Sequence, residues 1–360
     1  MMRLSSIFSE SFRNVRGGTA HSGQLTLALG ALISVVMAVD FIAIAAVTTQ
    51  ADAFRNAGAS VQIYESKGQI SGSACEALNS VGGYRSGAIR AAPFDLTMLS
   101  LPGSTVPTFE VSPQFADVLG DLDDKRLPLG LTVSASFAEQ FGVGAGSQLQ
   151  TSDGDTVIAS VYDFPNDGRR SELSYAVLIP VPADAPFDEC WGSTWPISEQ
   201  MGSLLRSTVL QSGADGQDPP ILGQLNSSFG ADFPGNAMIE KRSTQYLPIF
   251  GAIFGFIIAF VATRIRGIEL ASARHSGVGA FELWSILMIE STAWILGSAA
   301  FSTPVIAYFQ NSAAVVDRPL FLQLGATTFG IATCAALLGV TGSVLFSDER
   351  RLFGLFKSRR

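Results

Sequence analysis

Four long apolar runs constrain this sequence more than any other feature. They occupy residues 24–48, 246–263, 283–308 and 320–346, and each is about as long as a helix must be to cross a bilayer. Lipid offers no hydrogen-bonding partner to backbone amides, so runs of this kind span a membrane as helices. With 47% hydrophobic and only 15% charged residues, the chain is also too apolar for an ordinary soluble domain. The sequence predicts a membrane protein with four transmembrane helices.

A long stretch of mixed composition, residues 52–245, separates the first two runs and is large enough to hold its own core. Alternating apolar residues, turn residues and helix start and stop signals divide it into short strands and helices. The predicted elements are strands at 60–64 and 84–90, helices at 73–81, 111–120 and 134–141, a hairpin around 152–155, and a loop at 212–226. This pattern predicts an α/β or α+β domain inserted between the first and second spanning helices.

The arginine and lysine residues orient the chain. Cytoplasmic segments of membrane proteins carry an excess of these residues. The segments that share one side are 1–23, 264–282 and 347–360, and their basic residues are Arg3, Arg13, Arg16, Arg264, Arg266, Arg274, Arg350, Arg351, Lys357, Arg359 and Arg360. Lys241 and Arg242 flank the second run on the other side and oppose this orientation weakly. We therefore expect both termini in the cytoplasm of a cell-membrane protein, with residues 52–245 and the short connection 309–319 outside.

The first apolar run has a second interpretation. A basic flank, an apolar segment and the small residues Ala51 and Ala53 also occur in secretory signal peptides. The apolar segment is longer than the roughly 7–15 residues that are usual for a signal. A retained transmembrane helix is therefore favoured, and cleavage would leave residues 52–245 on the same side.

The charge of the inserted domain is strongly negative. Residues 52–242 hold 23 acidic and 11 basic residues, which is a net charge of −12. A phosphate backbone would be repelled, so nucleic acid is not expected as a partner. The same region holds Cys75 and Cys190, which an oxidising exterior would allow to form a disulfide, whereas Cys334 lies in the fourth run.

Several kinds of catalytic chemistry have no matching motif. The chain has no phosphate-binding loop for ATP and no Gly-x-Ser-x-Gly nucleophile motif. Its only histidines, His21 and His275, lie outside the inserted domain, so no histidine-based metal site or triad is expected there. The sequence predicts a subunit that is not an enzyme and that carries no cofactor or metal of its own.

The first segment, residues 1–23, has an amphipathic pattern. Leu4, Ile7, Phe8, Phe12 and Val15 recur at steps of three to four residues, with charged residues on the opposite face. This predicts a short helix in the cytoplasmic headgroup layer of the membrane. A frayed tail is the alternative.

The connection between the second and third runs is longer than a simple link requires. Residues 264–282 contain charges of both signs and two glycines, which predicts a helix that continues from the second span, a turn and a returning helix. Such a projection is a candidate docking surface for a soluble partner. Its candidate residues are Arg264, Arg266, Glu269, Arg274, Gly277 and Gly279. A loop that serves only as a basic anchor is the alternative.

Two acidic residues lie inside predicted spans. Asp40 in the first and Glu290 in the third each face a cost of about 2.5–3.5 kcal/mol at mid-membrane, so each is expected to face protein or water. Helix packing is the simpler explanation for both, and Asp40 is also a candidate for a lateral entry site for an amphiphile or a cation. Outside the spans, Trp191 and Trp195 follow Cys190 and are expected to complete a core beside the disulfide. An exposed aromatic pair that forms a binding surface is the alternative.

The spacing of Glu269, Arg274, Gly277 and Glu290 resembles the motif Arg-x-x-Glu-Ile-x-x-x-Arg-x-x-Gly-Ala, followed later by Glu, in permease subunits of the FtsX/MacB-type ABC transporters. The order of amphipathic helix, one span, large outer domain and three spans is also similar to that family. So are residues 111–120 and 131–142, which resemble its periplasmic core domain. The chain departs from the family at Gly267, where a charge is usual, and at Val278, where alanine is usual.

The resemblance implies a mechanism of mechanotransmission. Two permease chains, identical or different, would dock on cytoplasmic ATPase subunits that bind ATP and Mg²⁺, and ATP hydrolysis would move the outer domains. It implies export or extraction of a hydrophobic or amphipathic substrate, such as a peptide antibiotic, a drug, a haem-like molecule or a lipid-linked molecule. The alternative within the family is an FtsX-like regulator that activates a cell-wall hydrolase.

Overall fold

The structure is a computed structural model that describes residues 4–119, 127–152, 154–210, 219–315 and 317–345. It divides into a helical unit, formed by residues 1–49 and 235–360, and a sheet unit, formed by residues 50–234. The predicted basic tail at 347–360 lies outside the described residues.

The helices of the described residues fall into long and short classes. They are α1 (Leu4–Arg16), α2 (Ser22–Asn56), α3 (Gly72–Ala77), α4 (Ala116–Leu119), α5 (Ala135–Phe141), α6 (Met201–Arg206), α7 (Gly235–Glu240), α8 (Leu247–Ile265), α9 (Gly267–His275), α10 (Ala280–Ser312) and α11 (Arg318–Leu345). Helices α2, α8, α10 and α11 are long and apolar enough to cross a membrane, and they coincide with the four predicted runs. The prediction of four membrane helices is confirmed. Helix α2 continues past residue 48 to Asn56. Its last turns are polar, so a search for apolar runs does not detect them.

The core of the helical unit is built around one face of α2. Leu29, Ile33, Met37 and Phe41 recur every four residues and are each at most 1% exposed. They pack against buried residues of α10 and α11. This segment therefore supplies the centre of the core of the helical unit.

Helix α1 divides its apolar residues between two environments. Ile7 is buried, whereas Phe8 and Phe12 are 59% and 66% exposed. Ser11 is also buried, and its hydroxyl donates to the carbonyl oxygen of Ile286 in α10 at 3.3 Å. The predicted amphipathic helix therefore forms, but part of it packs on α10, while Phe8 and Phe12 are exposed.

The sheet unit contains a mixed sheet. The described strands are β1 (Val61–Ser71), β2 (Tyr84–Ala91), β3 (Leu96–Thr97), β4 (Thr105–Val106), β5 (Thr108–Val111), β6 (Leu131–Ser134), β7 (Gln148–Thr151), β8 (Gly154–Tyr162), β9 (Val177–Pro180), β10 (Pro186–Thr194) and β11 (Ile221–Gln224). Nine of them form one sheet in the order β11-β1-β10-β2-β5-β9-β6-β8-β7, and β3 pairs with β4. The β5–β9 and β6–β8 pairs are parallel and the other pairs are antiparallel. This mixed arrangement confirms the α+β class of the inserted domain.

Local signals explain several of the short helices. Ser71 and Ser134 are the N-caps of α3 and α5, because each hydroxyl accepts a hydrogen bond from a backbone amide three residues later. Helix α5 ends at Gly142, whose φ of 62° lies in the left-handed region that favours glycine. These boundaries agree closely with the predicted helix at 134–141.

Two sequence-based assignments in this unit are corrected by the structure. The predicted helix at 111–120 begins later than expected, because Val111 is the last residue of β5 and helical turns begin at Pro113; residue 120 lies outside the described residues. The predicted loop at 212–226 contains β11, which pairs with β1. Ile221 and Leu222 are both exposed, so no alternation of buried and exposed residues marked this strand; backbone pairing alone defines it. Residues 211–218 lie outside the described residues.

The core of the sheet unit contains the disulfide between Cys75 and Cys190, both fully buried. Trp191, the next residue, is 2% exposed and lies beside Phe115 at a ring separation of 5.2 Å. Trp195 contacts the rings of Phe54 and Phe233. Trp191 therefore completes a core cluster, but not the one that holds the disulfide, because neighbouring residues of β10 point to opposite faces of the sheet. Trp195 is half-buried in a separate aromatic group.

Candidate functional site

The connection from α8 to α10 forms the first part of the candidate site. Helix α8 ends at Ile265 and α9 begins at Gly267, so Arg266 alone separates them. The predicted continuous extension of the second span is therefore a separate short helix. Gly277, with φ of 95°, turns the chain after α9. Gly279 then caps α10, and its amide donates to the Glu282 carboxylate at 2.9 Å.

The six predicted docking residues are not equally available at the surface. The Glu269 side chain is 58% exposed, and Gly277 and Gly279 are exposed. Arg264 and Arg274 are half-buried, and the guanidinium of Arg264 lies 5.4 Å from the ring of Phe260. Two apolar side chains beside this segment, Ile265 and Phe281, are each 73% exposed. The exposed surface of this connection is therefore apolar and acidic as well as basic.

Arg266 points inward, away from the position expected of a docking residue. Its side chain is 11% exposed, and its Nη1 donates to Oε2 of Glu290 at 2.5 Å. Its Nε donates to Oε2 of Glu269 at 3.1 Å. Arg266 thus joins the exposed carboxylate of α9 to the buried carboxylate of α10, two residues that the sequence placed in separate categories.

Glu290 receives a second hydrogen bond, which sequence reasoning missed. Nδ2 of Asn14 in α1 donates to Oε1 of Glu290 at 2.7 Å. A cavity of about 20 Å³ borders this carboxylate, large enough for about one water molecule. Asn14 lies on the polar side of an amphipathic helix, so its sequence context gave no indication of a buried partner.

Asp40, the second intramembrane carboxylate, is also paired. Its side chain is 3% exposed, and both of its oxygens accept hydrogen bonds from Arg242. The carboxylate is therefore engaged inside the helical unit. This pairing supports helix packing, the simpler of the two explanations for Asp40.

A third polar network lies in the sheet unit, on strand β10. Glu189 accepts from the indole nitrogen of Trp191 at 2.6 Å and pairs with Arg170 at 3.0 Å. Burial raises the pKa of Glu189, while these two donors act in the opposite direction. The carboxylate has its partners within the unit, which is typical of a structural network.

These features define a class: a polytopic membrane protein with a mixed α/β domain inserted between its first and second spanning helices. No family model matches the sequence, and no curated protein matches it. Among solved structures, the chain is similar to the periplasmic region of MacB from Actinobacillus actinomycetemcomitans, with 10% identity and a TM-score of 0.35. The match covers 48% of this chain and 91% of that chain.

Proposed function

We propose that this chain is the permease subunit of an ABC transporter. A separate ATPase chain, which binds ATP and Mg²⁺, would dock on the segment between α8 and α10, and a second permease chain would complete the assembly. ATP hydrolysis would then move the sheet unit, which exports or extracts a hydrophobic or amphipathic substrate. In this proposal the chain itself is not catalytic.

The observation that carries the proposal is the short helix α9. A connection between two spanning helices needs only a few residues, but this one forms a helix of its own between Arg266 and the turn at Gly277. The side chains of Glu269 and His275 are exposed on it. A short helix outside the spans, with charged residues at its surface, supplies a rigid contact through which a soluble partner can push.

The expected orientation places this helix with the ATPase. A buried disulfide such as Cys75–Cys190 persists in oxidising compartments, so it supports a sheet unit outside the cytoplasm. The basic residues of α1 and of the segment from Arg264 to Arg274 support a cytoplasmic position for α9 by the positive-inside rule. Both arguments agree, although they come from different parts of the chain.

Charge reversal on α9 tests the proposal. The full chain is co-expressed with each candidate ABC ATPase found in neighbouring reading frames, purified in lipid nanodiscs, and assayed for ATP hydrolysis. E269K should weaken stimulation of the ATPase by roughly tenfold, because reversing a charge at an interface costs about 1–2 kcal/mol or more. E199K, at an exposed position of the sheet unit, is the matched control and should leave stimulation unchanged.

Two outcomes would contradict the proposal. One is the absence of any ATPase that binds the wild-type chain; the other is an E269K variant that stimulates the ATPase as well as E199K does. A cell-wall hydrolase that co-purifies with the complex would instead support the regulatory alternative.

A further inference from the structure

One buried carboxylate connects three separate helical segments of the helical unit. The side chain of Glu290 is 3% exposed, and each of its oxygens accepts one hydrogen bond. Oε2 accepts from Arg266, the residue between α8 and α9, and Oε1 accepts from Asn14 of α1. Both bonds are short, at 2.5 Å and 2.7 Å. Glu290 therefore holds two different segments to α10.

The contact with α1 has two polar ties. Ser11 and Asn14 lie three residues apart on α1, and Ile286 and Glu290 lie four residues apart on α10, so each pair shares one helix face. The Ser11 hydroxyl bonds to the carbonyl of Ile286, and the Asn14 amide bonds to the Glu290 carboxylate. A tail that only rests in the headgroup layer does not require such ties.

The contact with α9 acts at a hinge. Arg266 is the one residue between α8 and α9, with φ of −82° and ψ of 10°, so rotation about its backbone would reorient α9. Its guanidinium is fixed on both sides, by the buried Glu290 and by the exposed Glu269. Since the charge on Arg266 is almost fully buried, leaving it without its partner is costly, and the side chain resists rotation of the hinge.

We infer that Glu290 is a positioning residue that fixes α9, through Arg266, and α1, through Asn14, to α10, so that a load on α9 displaces α1 and α10 together. This inference rests on the proposed function only for the origin of the load. It makes α1 part of the coupling apparatus and not only a membrane anchor. The path from the surface inward is Glu269, Arg266, Glu290 and Asn14.

The first test needs no partner protein. In the full chain with Cys334 replaced by serine, a nitroxide label is attached at S9C on α1 or at S272C on α9, both exposed positions. E290Q should raise the mobile fraction at both labels by at least about twofold. The amide has no charge to hold Arg266, and it has one acceptor oxygen in place of two, so its NH2 group faces the NH2 group of Asn14 when its oxygen faces Arg266. E10Q, which removes a carboxylate from an exposed pair with Arg13, is the matched control and should change neither label.

A second variant separates the Asn14 bond from the Arg266 bond. It also keeps the inference testable if E290Q fails to fold. N14A removes the bond between α1 and Glu290 and leaves the Arg266 bond in place, so it should mobilise the label at S9C and leave the label at S272C unchanged. Labels that remain immobile in both E290Q and N14A would overturn the inference. So would equal mobilisation of both labels by N14A, since the two ties would then not be separate.

The functional readout distinguishes this inference from the proposed function. E290Q should retain binding of the ATPase, because the surface of α9 is intact, but should reduce its stimulation by about tenfold. If no ATPase binds the wild type, the proposed function fails while the label measurements still decide the role of Glu290. If E290Q stimulates as well as E10Q does, the coupling role of Glu290 is wrong.

Discussion

Arg242 clamps Asp40 with two parallel hydrogen bonds. Its Nε donates to Oδ1 at 2.7 Å and its Nη2 donates to Oδ2 at 2.9 Å, although the residues are 202 positions apart. A third bond runs from Nη1 of Arg242 to the carbonyl oxygen of Ile239. The pair ties α2 to the segment that precedes α8. The charge of Arg242, one of the two basic residues that oppose the predicted orientation, is thereby paired inside the helical unit.

Removal of the Asp40 charge should destabilise the helical unit. D40N leaves the guanidinium of Arg242 buried without its counter-ion, and breaking a buried pair in this way costs about 3–5 kcal/mol. We expect a lower midpoint of thermal unfolding in detergent. D52N, which breaks the exposed pair with Arg55, should cost less than about 1 kcal/mol and is the control. Equal losses in the two variants would show that the Asp40 pair contributes no special stability.

The disulfide should contribute strongly to the sheet unit. Cys75 and Cys190 enclose a separation of 115 residues, and a cross-link over a loop of this size stabilises by about 2–5 kcal/mol. Replacement of both cysteines by serine should lower the opening free energy of sheet-unit amides, measured by hydrogen exchange, by about 2–5 kcal/mol. C334S, at the free and exposed cysteine, should leave the exchange unchanged. A double serine variant with full protection would contradict the prediction.

A close approach of α8 and α11 depends on Gly339. A Cβ at this position would collide with the carbonyl oxygen of Phe256, whereas a Cβ at Gly330 in the same helix would meet nothing within 4 Å. G339A should therefore destabilise the helical unit by about 1–3 kcal/mol through overpacking. G330A should be neutral or stabilise by about 0.5–1 kcal/mol, since alanine is the better helix former. Thermal unfolding of the two variants under identical conditions checks the difference, and a G339A variant as stable as G330A would refute it.

The pair between Asp167 and Arg169 should make the sheet unit sensitive to acid. The hydrogen bond from Arg169, the largest influence, lowers the pKa of Asp167 below its ordinary value of 3.8. A lowered pKa means that the folded state favours the carboxylate, so the pair stabilises at pH values above 3.8 and loses this effect as the pH falls through the folded-state pKa.

D167N should therefore lose about 1 kcal/mol at neutral pH, and its difference from the wild type should disappear in acid. Native-state hydrogen exchange of the sheet unit at several pH values measures this difference. E139Q, which removes an exposed carboxylate of α5, is the control. A D167N deficit that is the same at every pH would show that its cause is not the ionised pair.

The sequence alone determined the parts of this protein that depend on composition and local signals. Lipid leaves backbone groups without partners, so four apolar runs of sufficient length predicted α2, α8, α10 and α11 regardless of their neighbours. Serine hydroxyls cap adjacent amides, and for this reason the start of α5 at Ser134 and its end at Gly142 were readable from a few residues.

The tertiary structure decided which distant residues meet. Arg266 belongs by sequence to a basic loop, yet it turns inward because Glu290 on α10 and Glu269 on α9 both lie within hydrogen-bonding distance. Strand β11 exists because the backbone of β1 offers it an edge to pair with, a property that no side-chain pattern records. Pairings of this kind depend on distances between segments far apart in the chain, and those distances arise only when the helices and strands pack.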